Sequence, residues 1–340
     1  MGKTSRIVCF GELMIRLSAP GRELLLQRPE LGVNIGGAEA NCGVSLARFG
    51  LDAAMVSVLP DNALGQAAIG ELRRYGMDTA HITIGDGRMG LYFVTPGAIH
   101  RPTEVLYDRA NSAFALAKPD LVDWKSALAG AAWLHVSGVT PAISTNASEA
   151  TLRAVKAARA AGVKVSFDSN FREKLWESRK DEAKNILSAI LAETDLLFAD
   201  HRDIELATGQ SAGNGDDHER RAKAVAIAFA SFPNLKRVAG TVRKVVTVDH
   251  NDLTGVMYTR DGVWQTQQYA VAPIVDRIGG GDAFAAGLLY GLETGLTDQE
   301  TLDFAIAAAC VKHSIPGDFN LASANDIRVF LSENRFDVRR

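Results

Sequence analysis

Short apolar runs alternate with longer stretches rich in Ala, Leu and Arg along nearly the whole chain, and this alternation restricts the possible folds. The runs that predict strands are Arg6–Phe10, Ala53–Val58, Trp133–Ser137, Val163–Asp168, Leu196–Ala199 and Lys244–Val248. The stretches with apolar residues three and four positions apart predict helices, namely Asn41–Phe49, Ala63–Tyr75, Asn146–Ala161, Asp181–Glu193, Asp203–Thr208, Glu219–Ala230, Ala283–Glu293 and Asp298–Lys312. We therefore expect an α/β fold with a mainly parallel sheet covered by helices. A chain of 340 residues is long enough for one large domain of this kind, alone or with a smaller appendage.

Two stretches break this rhythm, about residues 12–35 and 89–108. In the second stretch, Leu91–Val94 and Glu104–Tyr107 flank a segment rich in turn-forming residues. Both stretches predict extended ribbons that protrude from the main sheet. Such a ribbon can be a structural edge hairpin or a lid that closes over a ligand and excludes water.

The charge balance excludes several classes of partner. There are 37 basic and 40 acidic side chains, for a formal charge of −3, so no basic stripe is available for nucleic acid or for a membrane surface. No apolar run approaches the length of a transmembrane helix, and the N-terminus reaches Ile7 too soon for a signal peptide. We expect a cytoplasmic protein that binds neither nucleic acid nor membrane.

Three consecutive glycines, Gly279, Gly280 and Gly281, precede Asp282 at the start of an Ala- and Leu-rich helix. Glycines allow backbone N–H groups to turn toward an anion, and the helix N-terminus adds a partial positive charge. A carboxylate among such donors would repel a resting anion, so its expected role is to accept a proton from an attacking hydroxyl. The segment therefore predicts phosphoryl transfer to an alcohol.

The three glycines have other interpretations. A Gly-rich turn can serve tight strand-to-helix packing alone. The segment is not a Walker A loop, since no Lys-Ser or Lys-Thr follows, and its spacing differs from the dinucleotide fingerprint Gly-x-Gly-x-x-Gly. Asp282 and the small-residue helix favour the phosphoryl-transfer interpretation.

Two motifs in this order resemble the signatures of the PfkB (ribokinase-like) family of carbohydrate kinases: Gly36–Asn41, continuing into Val44–Gly50, and Asp276–Gly287. Further segments resemble the 2-keto-3-deoxygluconate kinases within that family, namely Gly90–Tyr92, Tyr107–Ala113, Ser137–Ala142, Asp168–Arg172 and Lys312–Asn320. The resemblance implies a three-layer α/β/α sandwich with a mainly parallel central sheet. It implies a single kinase domain over residues 1–340, with a small β lid formed by the segments at about 12–35 and 89–108.

The resemblance also implies ATP-dependent phosphorylation of 2-keto-3-deoxy-D-gluconate to the 6-phosphate. Asp282 would be the general base, and the backbone of Gly279–Asp282 would form the anion hole. Another sugar kinase of the fructokinase or ribokinase type is the alternative within the fold. A non-catalytic sugar or nucleotide sensor is the alternative from a different class. The epimer preference, gluco or galacto, stays open.

Candidate substrate residues fit an anionic sugar acid. Arg109 and Arg172 lie on separate segments that could converge on a carboxylate, although two such arginines can also be plain surface charges. Tyr92 and Tyr107, on the expected lid, offer apolar faces and hydroxyl groups. By resemblance, Gly37, Asp282 and Asp318 also contact the sugar.

The nucleotide side is expected to hold ATP and Mg²⁺. By resemblance, Asn170 and Arg172 lie between the sugar and the nucleotide phosphates, while Gly279 and Gly281 also contact the nucleotide. Thr241 and Arg243 are expected to bind phosphate in a long variant of the family turn that includes Asp249–Gly255.

The magnesium element departs from the family pattern. Asp200 and Asp203 stand where Asn and Glu are usual, so Asp203 is expected to meet the metal through water, with Glu205 as a rival. His201 is expected at the surface or behind the site. Gly280 stands where the family frequently has alanine. This change only removes a methyl group and is expected to preserve the anion hole. By analogy alone, a monovalent cation near Asp276 and a homo-oligomer are further expectations.

Overall fold

The computed structural model describes residues 5–332 of the chain, so the ends of the expected 1–340 domain lie outside the described residues. Its strands form one large and one small sheet. They are β1 (Arg6–Phe10), β2 (Met14–Ser18), β3 (Gly32–Gly36), β4 (Asp52–Pro60), β5 (Asp78–Gly85), β6 (Gly90–Thr95), β7 (Glu104–Asp108), β8 (Ala131–Ser137), β9 (Lys164–Asp168), β10 (Leu196–Phe198), β11 (Arg237–Thr247), β12 (His250–Thr259), β13 (Val263–Gln265) and β14 (Tyr269–Val271).

The large sheet has the order β13-β12-β11-β10-β9-β8-β1-β4-β5, with β14 paired to β12. Neighbouring strands from β11 through to β5 are parallel, whereas β12 to β14 are antiparallel additions at one edge. The expected mainly parallel sheet is confirmed.

Helices cover both faces of this sheet. They are α1 (Ala38–Arg48), α2 (Ala63–Arg74), α3 (Ala113–Leu116), α4 (Trp124–Ala127), α5 (Val139–Ala142), α6 (Thr145–Ala160), α7 (Glu173–Trp176), α8 (Lys180–Leu191), α9 (His201–Thr208), α10 (Asp217–Ser231), α11 (Gly280–Thr294), α12 (Asp298–Lys312) and α13 (Ala324–Ser332). One hydrophobic core lies under α1, α2, α11, α12 and α13, and the other lies under α6, α8, α9 and α10. The arrangement is the expected three-layer α/β/α sandwich.

The elements that differ from the sequence prediction include β11, β12 and β5. The last predicted strand, Lys244–Val248, is the exposed end of β11, which already begins at Arg237. Residues 249–255 are not a phosphate-binding turn, because most of them belong to β12, where Gly255 pairs with Thr241. The partly polar strand β5 went unpredicted because an edge strand needs little apolar surface.

The small sheet unites the two unusual segments in the order β3-β2-β6-β7. Strands β2 and β6 are parallel, while the outer pairs are antiparallel. Adjacent strands align Arg16 with Tyr92 and Tyr92 with Tyr107, so one face is polar and aromatic. Since side chains alternate along a strand, the opposite face carries apolar pairs such as Leu17–Val33 and Phe93–Leu106. Closure of this sheet over a ligand stays a prediction.

The carboxyl ends of the parallel strands bring the polar residues together. Glu12 follows β1, Gly138 follows β8, Asp168 ends β9 and Asp200 follows β10. Ligands of open α/β sheets bind at this edge. Among residues 5–332, no helix is both long and apolar enough to cross a bilayer.

Candidate active site

The three glycines form the N-terminal turn of α11. Gly279 is the N-cap with φ 82°, a left-handed conformation suited to glycine, and a Cβ there would lie 2.1 Å from the Asp318 carbonyl oxygen. The first N–H groups of a helix have no acceptor within it, so Gly281 and Asp282 can donate to an anion. A Cβ on Gly281 would meet no atom within 4 Å. The turn therefore presents donors beside open space.

Asp282 lies in the first turn of α11 and accepts a 2.7 Å hydrogen bond from Nδ2 of Asn41 on α1. Burial, helped by the charges of Asp168 and Glu39, raises the pKa of Asp282 to about 8, although the Asn41 hydrogen bond lowers it. A carboxyl group with a pKa near neutral pH is suited to accept a proton in catalysis.

Further acids surround Asp282. Burial and the charge of Asp203 raise the pKa of Asp168 to about 7, and burial and the charge of Asp200 raise that of Asp203 to about 6. Glu39 is fully enclosed and accepts hydrogen bonds from the Ser137 amide and from neighbouring hydroxyl groups. Crowded carboxylates of this kind favour a bound cation, because each disfavours ionisation of the next.

A cavity of about 710 Å³ opens in front of the turn, on the side of β9, β10 and β11. Its lining includes Gly281, Thr241, Asp168 and Asp203, as well as the cationic side chains Arg172, Lys180, Arg202 and Arg221. Asn170, in a left-handed conformation with φ 35°, also lines it. This mixture of cations, carboxylates and helix N–H groups can hold a polyphosphate with a divalent cation.

The two aspartates of the expected magnesium element form a reciprocal helix cap. Asp200 is the N-cap of α9 and accepts from the Arg202 and Asp203 amides, while the Asp200 amide donates to Asp203 Oδ2 at 2.9 Å. One Asp203 oxygen is thus engaged, and the residue still lines the cavity. Within the described part of the chain, no cluster of three or more His, Cys, Asp or Glu side chains could hold a metal.

Glu205 and His201 lie in the same helix α9. Glu205 accepts a 2.6 Å hydrogen bond from the Ala212 amide and ties down a surface loop, so it is a poor rival for the metal. His201 is buried, with 7% of its surface exposed, so of its two expected positions the surface one is excluded and a position behind the site stays a prediction.

Thr241 and Arg243 are two positions apart in β11, so their side chains lie on the same face of the strand. Thr241 lines the cavity. Arg243 is exposed and does not line it, and its charge acts on Arg277 and His313. The structure therefore brings Asn170, Arg172, Asp200, Thr241 and Gly281 to one cavity but leaves Arg243 at its margin.

On the other side of the turn, the polar face of the small sheet meets Asp318. The Tyr92 hydroxyl donates to Asp318 Oδ1, and Arg16 Nη1 donates to Oδ2 at 3.1 Å. Tyr107 stacks on Tyr92 with ring centroids 5.9 Å apart and remains 42% exposed. The charge of Asp318 also contributes to the raised pKa of Asp282, which places the two carboxylates near each other.

Arg109 is buried rather than exposed. It ion-pairs with Glu12, whose other oxygen accepts from the Ser112 hydroxyl. The buried Arg109 Nη1 has no partner among the described residues, so it is available to a ligand. Arg172 stays exposed at the cavity. The two arginines therefore stand in different environments.

Gly37 is the N-cap of α1 and joins β3 of the small sheet to the large domain. Its φ of 155° and the Glu12 carbonyl oxygen, 2.3 Å from where a Cβ would stand, leave no room for a side chain. The constraint brings the α1 N-terminus close to the carboxyl end of β1.

Gly280 packs closely against His313. A Cβ at this position would lie 2.7 Å from Cε1 of His313, whose Nδ1 is tied to the Ala309 carbonyl at 2.7 Å. The absence of a methyl group at Gly280 thus leaves room for the His313 ring against the first turn of α11.

Four further site residues were not predicted: Glu12, Arg16, Asn41 and Asp168. Each is polar within or beside an otherwise apolar run or a motif, and a buried polar residue in such a place needs partners. That signal marks candidates, but it does not identify their partners.

The pKa of Asp282 predicts a pH dependence. We expect kcat/KM to fall as the pH drops below about 8, because the base becomes protonated. In Asn41→Leu the acid limb should move to higher pH, since the lost hydrogen bond favours the carboxylate. A pH series with each protein measures this, and an acid limb that moves to lower pH would contradict it.

The same pKa affects the stability of the fold. Since folding raises the pKa of Asp282, the contribution of this carboxyl group to the free energy of unfolding is present at low pH and is lost as the pH rises through about 8.

Comparison with known proteins agrees with this geometry. The family model described as pfkB family carbohydrate kinase matches residues 4–320. A 2-dehydro-3-deoxygalactonokinase of Haloferax volcanii is 32% identical over 95% of this chain and 96% of its own length. A 5-dehydro-2-deoxygluconokinase of Clostridium perfringens is 27% identical over 88% of this chain and 85% of its own. The crystal structure of a 2-dehydro-3-deoxygluconokinase from Thermotoga maritima superimposes with a TM-score of 0.92 at 39% identity, covering 97% of this chain and 99% of that one.

Proposed function

Because the chain belongs to the pfkB family of carbohydrate kinases, we propose that it phosphorylates 2-keto-3-deoxy-D-gluconate with ATP, giving the 6-phosphate. The observation that carries the proposal is the position of Asp282. It stands at the N-terminus of α11, with the cavity on one side and Asp318, Tyr92 and Arg109 on the other.

The chemistry follows from that position. The C6 hydroxyl oxygen attacks the terminal phosphorus of ATP while the Asp282 carboxylate accepts the hydroxyl proton. The bond between that phosphorus and the bridging oxygen breaks, and ADP leaves with the bridging oxygen. The Gly281 and Asp282 N–H groups donate to the oxygens of the transferring group and stabilise its charge. Asn41 orients the carboxylate through its 2.7 Å hydrogen bond.

ATP and magnesium are proposed for the cavity. Arg172 and Thr241 would contact the phosphates, while Asp168 and Asp203 would face the hydrated magnesium. When bound, magnesium neutralises phosphate charge and orients the phosphates. Binding of ATP and of magnesium is measured by calorimetry.

We also propose that the protein is cytoplasmic, because ATP is available in the cytoplasm. Cell fractionation tests this proposal.

The sugar acid is proposed for the region beside Asp318, between the small sheet and the N-terminal turn of α11. Arg109 is already neutralised by Glu12, so its free Nη1 suits a ligand oxygen without demanding a full negative charge. Gly37, the N-cap of α1, is proposed to contact the sugar through its backbone. The exposed Arg172 is the less compensated cation, and it supports binding of an anionic substrate.

A substrate panel tests the proposal. The 2-keto-3-deoxy acids of both gluco and galacto configuration, fructose, ribose and 5-keto-2-deoxygluconate are compared in an assay of ADP release. We expect kcat/KM for the 2-keto-3-deoxy acids to exceed that of each neutral sugar by about 10²-fold or more, as loss of a charged hydrogen bond implies. Faster turnover of fructose or ribose would replace the proposal by a neutral-sugar kinase. Ligand binding without ADP release from any of them would favour the sensor.

Arg109→Lys tests the substrate side. Lysine keeps the charge opposite Glu12 but removes the planar fork and its free Nη1. We expect the KM for the sugar acid to rise about 10- to 100-fold, since hydrogen bonds to charged groups contribute about 1.5–3 kcal/mol, with the KM for ATP unchanged. Arg88→Lys, which alters an exposed ion pair with Asp108, is the control and should change neither constant. An unchanged sugar KM in Arg109→Lys would remove Arg109 from the substrate site.

We also propose that the protein is a homo-oligomer. The apolar face of the small sheet leaves Val33 63% and Leu106 61% exposed, and exposed apolar patches of this kind often mark protein interfaces. Analytical ultracentrifugation decides, and a monomer at micromolar concentration would contradict the proposal.

A further inference from the structure

Lys312 is a fully buried lysine to which the mechanism above gives no role. It is the last residue of α12, has no solvent exposure, and donates from Nζ to the Ile315 carbonyl at 3.0 Å. Lysine is almost never fully buried unless it is paired. A buried ammonium group next to a reaction centre therefore calls for an explanation.

The position of Lys312 is directly behind the anion hole. Its Cε lies 3.3 Å from the point that a Cβ on Gly279 would occupy. The carboxylates of Asp276, Asp318 and Asp282 act on its charge electrostatically. Burial lowers the pKa of the Lys312 ammonium, and these carboxylates oppose that shift.

Arg16 is the second buried cation of the same cluster. It reaches from β2 of the small sheet to Asp276 at 2.8 Å and to Asp318 at 3.1 Å. Two carboxylates, Asp276 and Asp318, thus face two protein cations, Arg16 and Lys312. Without these cations the carboxylates would repel a phosphoryl group held at Gly281.

The expected monovalent cation near Asp276 does not fit this arrangement. Asp276 Oδ1 accepts from the Ile278 amide at 3.0 Å, and Oδ2 accepts from the Gly317 amide and from Arg16. The nearby Ile315 carbonyl is taken by Lys312. An added cation would find its oxygen ligands engaged and the local charge already balanced.

We propose that Lys312 is a positioning residue whose buried ammonium group, together with Arg16, supplies the fixed positive charge behind the anion hole, so that catalysis requires no monovalent cation. Lys312 acts through the Gly279 turn and through Asp276 and Asp318, without touching the substrate. The inference rests on the phosphoryl transfer common to the family and is independent of which sugar is the acceptor.

The first test uses the unaltered protein. Turnover and thermal unfolding are measured in tetramethylammonium, Na⁺, K⁺ and NH₄⁺ salts at equal ionic strength. Neither turnover nor the unfolding temperature should depend on which cation is present. Strong activation by K⁺ or NH₄⁺, or stabilisation specific to either, would overturn the proposal. The unfolding temperature needs no substrate, so its result stands even if the proposed sugar acid is wrong.

The second test removes the ammonium group. In Lys312→Ala, we expect kcat to fall about 10²-fold, as for loss of a fixed electrostatic group, and K⁺ or NH₄⁺ to restore turnover and raise the unfolding temperature in a saturable way. Lys164→Ala, which removes an exposed lysine paired with Glu293, should show neither effect. A folded Lys312→Ala protein with normal kcat, or a loss that neither cation restores, would overturn the proposal. If the variant does not fold, the cation series on the unaltered protein decides.

Discussion

Asp282→Asn is expected to lower kcat by about 10²–10⁴-fold, the usual contribution of a general base, while ATP and the sugar acid still bind. The amide keeps the size of the carboxyl group and can still accept the hydrogen bond from Asn41 Nδ2. Because burial already disfavours the charged carboxylate and raises its pKa to about 8, a neutral side chain should leave stability unchanged or higher. The loss is therefore catalytic and not a folding defect.

Steady-state kinetics, calorimetric binding and thermal unfolding of the same preparation check this expectation. Asp298→Asn is the matched control, since Asp298 lies at the start of α12 and pairs with Arg237 away from the turn. It should keep normal turnover. An Asp282→Asn protein with near-normal kcat would show that Asp282 is not the base.

Alanine substitutions at two positions of the glycine turn are expected to have opposite effects on stability. Gly281→Ala places a methyl group in open space facing the cavity, so the fold should gain up to about 1 kcal/mol from helix propensity. The same methyl group enters the volume expected for phosphate, so we expect ATP affinity and kcat to fall at least about tenfold. A more stable but less active protein is an outcome that general damage would not produce.

Gly279→Ala is the structural counterpart. Alanine would have to adopt φ 82° with its Cβ 2.1 Å from the Asp318 carbonyl oxygen. We expect a loss of about 2–4 kcal/mol in the free energy of unfolding, from left-handed strain and the clash, with activity lost as well. Urea unfolding and an ADP-release assay of both variants separate the cases. Equal stability of Gly279→Ala and the parent would contradict the turn geometry, and full activity of Gly281→Ala would remove the phosphate from this position.

Local patterns sufficed for most of the fold. For helix α12 the predicted and observed bounds are both Asp298–Lys312. The agreement arises because its N-cap Thr297 and its apolar spacing are local signals. The polar edge strand β5 and the hairpin of β11 and β12 were not predicted. These strands are stabilised mainly by pairing with a neighbouring strand, and their own residues carry only a weak local signal.

The candidate site divides in the same way. The Gly279–Gly281 turn followed by Asp282 was identifiable from the sequence, because its chemistry depends on consecutive residues with a known backbone preference. The pairing of Arg109 with Glu12 was not, because the two residues are 97 positions apart and no local pattern joins them. An arginine expected to be free for a carboxylate was thereby found to be already paired.

The sequence by itself determined the layered α/β architecture, the glycine turn before Asp282 and the family, since each depends on periodicity or on a contiguous motif. Only the tertiary structure decided which charges are free and which are compensated. It placed His313 against Gly280, Arg16 between Asp276 and Asp318, and Lys312 behind Gly279. The physical reason is that the strength of a charge depends on burial and on its neighbours, and these neighbours come from segments that meet only when the chain folds.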